Sequence, residues 1–147
     1  MSHAPTSIRP MAVEDATTVA ALAGQLGYPT TPEQIRVRHA VLAAAPDRGS
    51  VLVAVDAGSP ADVIGWAHVE LRDTLVAPAT AQLMALVVAD GARDRGVGRD
   101  LLRAAESWAR DHGCEALIVA TRVTRTEAHR FYRREGYDLD KTSHIFL

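Results

Sequence analysis

Along this chain the period of the apolar positions changes several times, and each change marks an element. Ser7 to Met11 reads as a short strand ended by Pro10. From Glu14 to Leu26, Ala16, Val19, Ala20, Ala23 and Leu26 recur at helical spacing, and Gly27 stands where a helix C-cap is expected. A second helix is predicted from Thr31, an N-cap with Pro32 at the first helical position, toward Ala45 before Pro46. The period then becomes two. Val51 to Val55 and Val63 to Leu71 are β-branched strands, joined through Asp56-Ala57-Gly58-Ser59-Pro60 as a hairpin with a loose loop. Alternation in the second puts Ile64, Trp66, His68 and Glu70 on one face. Ala81 to Ala89 is apolar on both faces after Gln82, as a central strand should be. A Gly- and Arg-rich loop leads to a helix from Val97 to His112 with Val97, Leu101, Ala104, Ala105 and Trp108 on one stripe, closed by Gly113. Ala116 to Ala120 is a further strand, Thr126 to Glu135 a short helix capped by Gly136, and Tyr137 onward one or two terminal strands. The order β-α-α-β-β-β-α-β-α-β-β predicts an α/β fold around one mixed sheet.

Composition narrows the classes of function. The 147 residues suit a single domain, 1–147, and 48% hydrophobic with 23% charged residues is ordinary for a globular protein. A net charge of −2 asks for neither nucleic acid nor an anionic membrane. No apolar run reaches the ~18 residues of a spanning helix, and Met1 to Pro5 carries no leader pattern, so a cytoplasmic location is expected. Cys114 is the one cysteine, which excludes an internal disulfide or a multi-thiolate zinc site, and the six histidines have no metal-ligand spacing; no metal is expected. Fifteen Arg against the single Lys141, 26 Ala and no Asn lean toward a GC-rich bacterial source.

Two stretches carry chemistry. In Leu86 to Leu102 a buried strand runs into a loop whose glycines, Gly96 and Gly98, open a helix. Backbone N–H groups and the positive end of the helix dipole converge there, which suits an anion, most naturally phosphate. Gly91 to Gly96 has Walker spacing but continues Val97-Gly98, and Leu101 stands where a dinucleotide fingerprint needs its third glycine. The second stretch is Arg125 to Tyr137, where Tyr132 is either a reactive hydroxyl or a core aromatic beside Phe131.

Together the two resemble the GCN5-related N-acetyltransferase (GNAT) superfamily. Arg93-x-x-Gly96-x-Gly98 is similar to its Arg/Gln-x-x-Gly-x-Gly/Ala signature, and Ala128-x-x-x-Tyr132-x-x-x-Gly136-Tyr137 to its Ala-x-x-x-Tyr-x-x-x-Gly-Phe ending. Ile8-Arg9-Pro10 with Asp15, and Ile64-Gly65-Trp66, are similar to the family's start and third strand. The resemblance implies a mostly antiparallel sheet with helices on both faces, and acetyl transfer from acetyl-CoA to a primary amine by direct attack in a ternary complex. It implies that Leu86, Val87 and Val88 pair with the pantetheine arm, and that Arg93, Asp94, Arg95, Gly96, Val97, Gly98 and Arg99 cradle the pyrophosphate. It further implies that a backbone N–H of Val87 or Val88 polarises the thioester and that Tyr132 protonates the departing thiolate. The sequence departs from the family twice: Arg125 stands where an asparagine is usual, and Gln82 where many members carry a strand carboxylate.

An amine of pKa ~10.4 is almost wholly protonated at neutral pH, so a base is needed. Glu70 and His68 are the candidates, directly or through water. Glu70, Asp73, Asp90 and Asp15 suggest a small cationic acceptor. A protein or peptide amine, and a non-catalytic acyl-CoA-binding regulatory domain, remain open, as does a homodimer.

Overall fold

Four helices and five strands arise where the patterning places them, in a computed structural model that describes residues 5–147; Met1–Ala4, most of the stretch without a leader pattern, lie outside the described residues. The strands are β1 (Thr6–Pro10), β2 (Gly49–Asp56), β3 (Ser59–Arg72), β4 (Thr80–Val88) and β5 (Leu117–Val119), and the helices α1 (Ala16–Leu26), α2 (Pro32–Ala43), α3 (Val97–Asp111) and α4 (Thr126–Arg134). The sheet order is β1-β2-β3-β4-β5. The first four strands run antiparallel, while β5 lies parallel to β4 because α3 carries the chain back across the sheet.

The caps act as their residue types require. Thr31 Oγ1 accepts the Gln34 N–H at 3.1 Å and Gln34 Oε1 accepts the Thr31 N–H at 3.0 Å, a reciprocal capping box at the start of α2. Gly27 ends α1 with φ 102°, a left-handed conformation that glycine adopts without penalty.

Two apolar layers enclose the sheet. On one face Val97, Leu101, Leu102, Ala105 and Ala109 of α3 pack on Leu52, Ala67, Val69 and Leu83. On the other, Ala16, Val19, Leu22 and Ala23 of α1 meet Val53, Val55, Val63, Trp66 and Val87. Helix α2 buries none of its residues completely. It covers that second face loosely, with Ile35 packed against the cluster.

Three expectations need correcting. The hairpin turn is tight: Asp56 pairs with Ser59, and Asp56 Oδ1 accepts the Gly58 N–H at 3.0 Å, closing a local turn that leaves Ser59 and Pro60 in β3. Ile64 does not share a face with Trp66. Ala54 pairs with Gly65 and Val55 with Val63, so Ile64 is the extra residue of a β-bulge and packs on the α3 side. No strand follows Tyr137 among the described residues. Leu139 there is isolated between two aspartates, and the only apolar run, Ile145-Phe146-Leu147, lies exposed at the very end, too short to bury a strand's worth of surface.

Candidate active site

The sheet opens at β4. Its pairing with β5 ends at Leu83 opposite Val119, so Met84 to Val88 have β3 on one side and no strand on the other. Ala89 donates to the Ile64 carbonyl at 2.8 Å. By alternation Val87 also directs its peptide groups at β3, while Leu86 and Val88 direct theirs into the opening. Of the two N–H donors expected for the thioester, Val88 therefore faces the open side and Val87 does not. Gln25, at the end of α1, clips this edge: its Nε2 donates to the Val88 carbonyl at 2.7 Å, and the Asp90 N–H donates to its Oε1 at 3.2 Å. Sequence pattern carries no sign of that contact, which joins residues 63 apart.

At the end of this opening α3 begins without a side-chain cap. Gly96 is its N-cap, left-handed at φ 79°, and the first N–H groups of the helix have no intrahelical acceptor. A Cβ on Gly96 would meet no atom within 4 Å, so this position faces open space. Asp94 is also left-handed, at φ 64°, which turns the loop sharply before the helix. A Cβ on Gly98 would lie 3.3 Å from the Phe131 ring, so this glycine lets α4 seat against α3. The arginines are less available than their number suggests. Arg95 turns inward to Asp56 at 3.4 Å, Arg99 pairs with Glu135 at 2.9 Å, and Arg93 holds an exposed contact to Asp90 at 3.3 Å. Val97 is core. What the loop presents outward is chiefly backbone N–H, with the Arg93 guanidinium at its edge.

Tyr132 lies partly buried on the α3-side core, in edge contact with Phe131 (5.1 Å) and Tyr137 (6.1 Å). Burial pushes its pKa up to about 12, against a smaller lowering by Arg125. The hydroxyl keeps its proton at any working pH. Arg125, in the place of the usual asparagine, is engaged within the protein: its Nη2 donates to the Leu26 carbonyl at 2.7 Å, and its guanidinium and that of Arg122 lie 5.7 and 5.3 Å from the centre of the Tyr28 ring. The start of α4 is thereby tied to the end of α1.

On the α1–α2 side, against β3 and β4, lies a cavity of about 490 Å³. His68 and Trp66 line it together with Met84, which is the bulged residue where His68 pairs with Ala85 and Val69 with Leu83. Within the cavity wall His68 Nε2 and Trp66 Nε1 are buried without a hydrogen-bond partner. Desolvation lowers the His68 pKa, partly opposed by Glu70, so the ring is neutral at physiological pH. Glu70 stays outside the cavity lining, two residues along, its side chain against Gly49. Tyr28 and Thr30 of the α1–α2 loop and Arg38 and His39 of α2 add to the polar lining, and sequence reading passed over them. His39 lies on the inward stripe with Ile35 and Leu42, a spacing that could have singled it out. Among the described residues no cluster of His, Cys, Asp and Glu forms a metal site, and no helix is long and apolar enough to cross a membrane.

An uncapped helix start beside an open strand edge suits the phosphate end of an extended ligand, and a separate cavity lies behind the same strand. The model of the acetyltransferase (GNAT) family matches residues 16–137, and the chain belongs to that family. It is 43% identical over 64 residues to an aminoalkylphosphonate N-acetyltransferase of Salmonella typhimurium, covering 44% of this chain and 40% of that one. It is 32% identical over 94 residues to an aminoglycoside N(6')-acetyltransferase type 1 of Stenotrophomonas maltophilia, covering 61% and 60%. The matched stretches thus span less than two thirds of either relative. Among solved structures, glucosamine-6-phosphate N-acetyltransferase from Arabidopsis thaliana superposes with TM-score 0.83 at 17% identity, over 97% of this chain and 98% of that one. AAC(6')-Iy in complex with a CoA-bearing bisubstrate analogue superposes with TM-score 0.82 at 20% identity, over 98% of each. At such identities the likeness is one of fold.

Proposed function

We propose that this protein transfers the acetyl group of acetyl-CoA to the primary amine of a small molecule, by direct attack in a ternary complex. The observation that carries the reading is the common strand: β4 offers an open backbone edge leading to the uncapped start of α3, and its Met84–Ala85 bulge forms part of the cavity that holds His68. The N–H groups from Gly96 to Arg99, with Arg93 beside them, take the pyrophosphate; Leu86 and Val88 pair with the pantetheine amides, and Val87 lines the arm through packing alone. Acetyl-CoA supplies the thioester.

His68, which lines the cavity, takes one proton from the acceptor ammonium, directly or through one water. The freed nitrogen forms the new bond to the acetyl carbon as the carbon–sulfur bond breaks, and the second proton it sheds on becoming an amide leaves to solvent. Tyr132 offers its O–H to the departing sulfur. With a pKa of about 12 against ~8.5 for an ordinary thiol, complete proton transfer to a thiolate is uphill by about 3.5 units. Tyr132 therefore stabilises the sulfur chiefly by donating a hydrogen bond, and solvent completes the protonation. Support for a small acceptor comes from the size of the cavity, about 490 Å³, and from the two relatives, both named for small amines.

The test is release of free CoA thiol from acetyl-CoA on adding a panel of primary amines. Amine-dependent release is expected, with Tyr132→Phe slower by about 10- to 100-fold at near-normal acetyl-CoA affinity, the worth of one hydrogen bond to a developing charge. Binding of acetyl-CoA with no release for any amine or lysine peptide would instead mark a non-catalytic acyl-CoA-binding domain.

A further inference from the structure

The lining of the acceptor cavity is one-sided in charge. Arg38 stands at its rim, His39 and His68 within it, and the rest is mostly apolar, with Val19, Leu26 and Met84 among the walls; no carboxylate lines it. Arg38 makes no ion pair among the described residues. The carboxylates that suggested a cationic acceptor are engaged elsewhere. Asp15 is held by Arg9 at 2.8 and 2.9 Å and by the Ala12 N–H, Asp73 by Arg48 at 2.6 Å and Asp90 by Arg93 at 3.3 Å, and Glu70 lies outside the lining.

We infer that the acceptor is an amine with an apolar body and one acidic group, the acid held by Arg38 at the cavity rim and the amine directed at His68 beside the β4 bulge. This deepens the transferase reading and rests on it. Three observations converge. A guanidinium without a partner offers a planar fork matched to carboxylate or phosphonate oxygens. Trp66 lines the same space together with Val19, Leu26 and Met84, an apolar wall that suits the body of such an acceptor. A polycation would bring further positive charges beside Arg38 into apolar walls with no counter-charge, which is costly. A single reacting ammonium brings one such charge only, and the acid group of the same molecule offsets it.

The experiment uses matched amines on the whole protein: phenylalanine against 2-phenylethylamine, 2-aminoethylphosphonate against propylamine, and spermidine and neamine as polycations. Thiol release from acetyl-CoA is followed together with calorimetric binding in the presence of CoA. The acid-bearing member of at least one pair should exceed its neutral partner by about tenfold or more in kcat/KM and in affinity, as a charge-assisted hydrogen bond supplies. Arg38→Gln should bring that ratio close to one, while Arg36→Gln, on the same helix but paired with Glu33 outside the cavity, should leave it intact. Preference for the polycations, or a ratio near one in the unaltered protein, overturns the inference while turnover continues. Absence of turnover with every amine counts against the transferase reading instead; the calorimetric ratio and its loss in Arg38→Gln then still decide for or against the acid site.

Discussion

His68 is the residue whose environment most changes its chemistry. An imidazole in water titrates near 6.5, and burial in the cavity wall disfavours its charged form, so the proton leaves at lower pH; Glu70 pulls the other way and only partly offsets this. The other ionisable groups facing the cavity are Tyr28, Arg38 and His39, from the α1–α2 loop and α2. A base with a depressed pKa is already deprotonated at neutral pH and active over a wide range. The plot of kcat/KM against pH should accordingly rise through a midpoint below 6.5, and His68→Gln should abolish that limb while Glu70→Gln keeps it. An unchanged limb in His68→Gln would assign the proton to water or to another group.

At the scale of elements, the loop between β4 and α3 does its work through backbone shape. Gly96 must be left-handed, and a side chain there meets no protein atom within 4 Å, so substitution strains the loop and projects a methyl into the anion's space without disturbing the core. The left-handed conformation alone costs a non-glycine residue about 1 to 2 kcal/mol. Gly96→Ala should weaken acetyl-CoA binding by about tenfold or more while circular dichroism stays that of the folded protein and stability falls by no more than that strain, about 1 to 2 kcal/mol. Full affinity in a folded Gly96→Ala protein would move the phosphate site elsewhere. The same elements explain Arg125: a longer side chain at the start of α4 reaches the Leu26 carbonyl and ties together helices on opposite faces of the sheet.

For the molecule as a whole, the junction of α3 and α4 sets where Tyr132 sits, and Glu135 holds that junction. Its carboxylate is almost fully enclosed and receives Arg99 at 2.9 Å and Arg103 at 3.1 Å, with Arg134 at 3.7 Å. The Arg99 hydrogen bond, more than any other cause, lowers its pKa below the ordinary 4.5. The sign follows: the stabilisation is complete above the unfolded-state pKa and disappears as pH falls through the lower folded-state value. Because the arginines are about half exposed, Glu135→Gln should cost only about 1 to 2 kcal/mol at pH 7, read from urea unfolding, with the gap to the unaltered protein closing toward pH 3. A gap independent of pH would make Glu135 a packing residue. The helices, β1 to β5 and the glycine-opened α3 were legible in the chain because period, caps and φ demands are local and need no knowledge of neighbours. Tyr132 and the loop from Arg93 to Arg99 could be named as candidates for the same reason, each lying within one motif. The face of Ile64, the lack of a terminal strand, the Gln25 clip and the Glu135 junction were not, since bulges, strand partners and ion pairs depend on residues distant in sequence meeting in space. The cavity beside β4 belongs with these: Arg38 and His39 come from α2 and His68 from β3, and only the packing of that helix over the sheet brings three scattered side chains around one space.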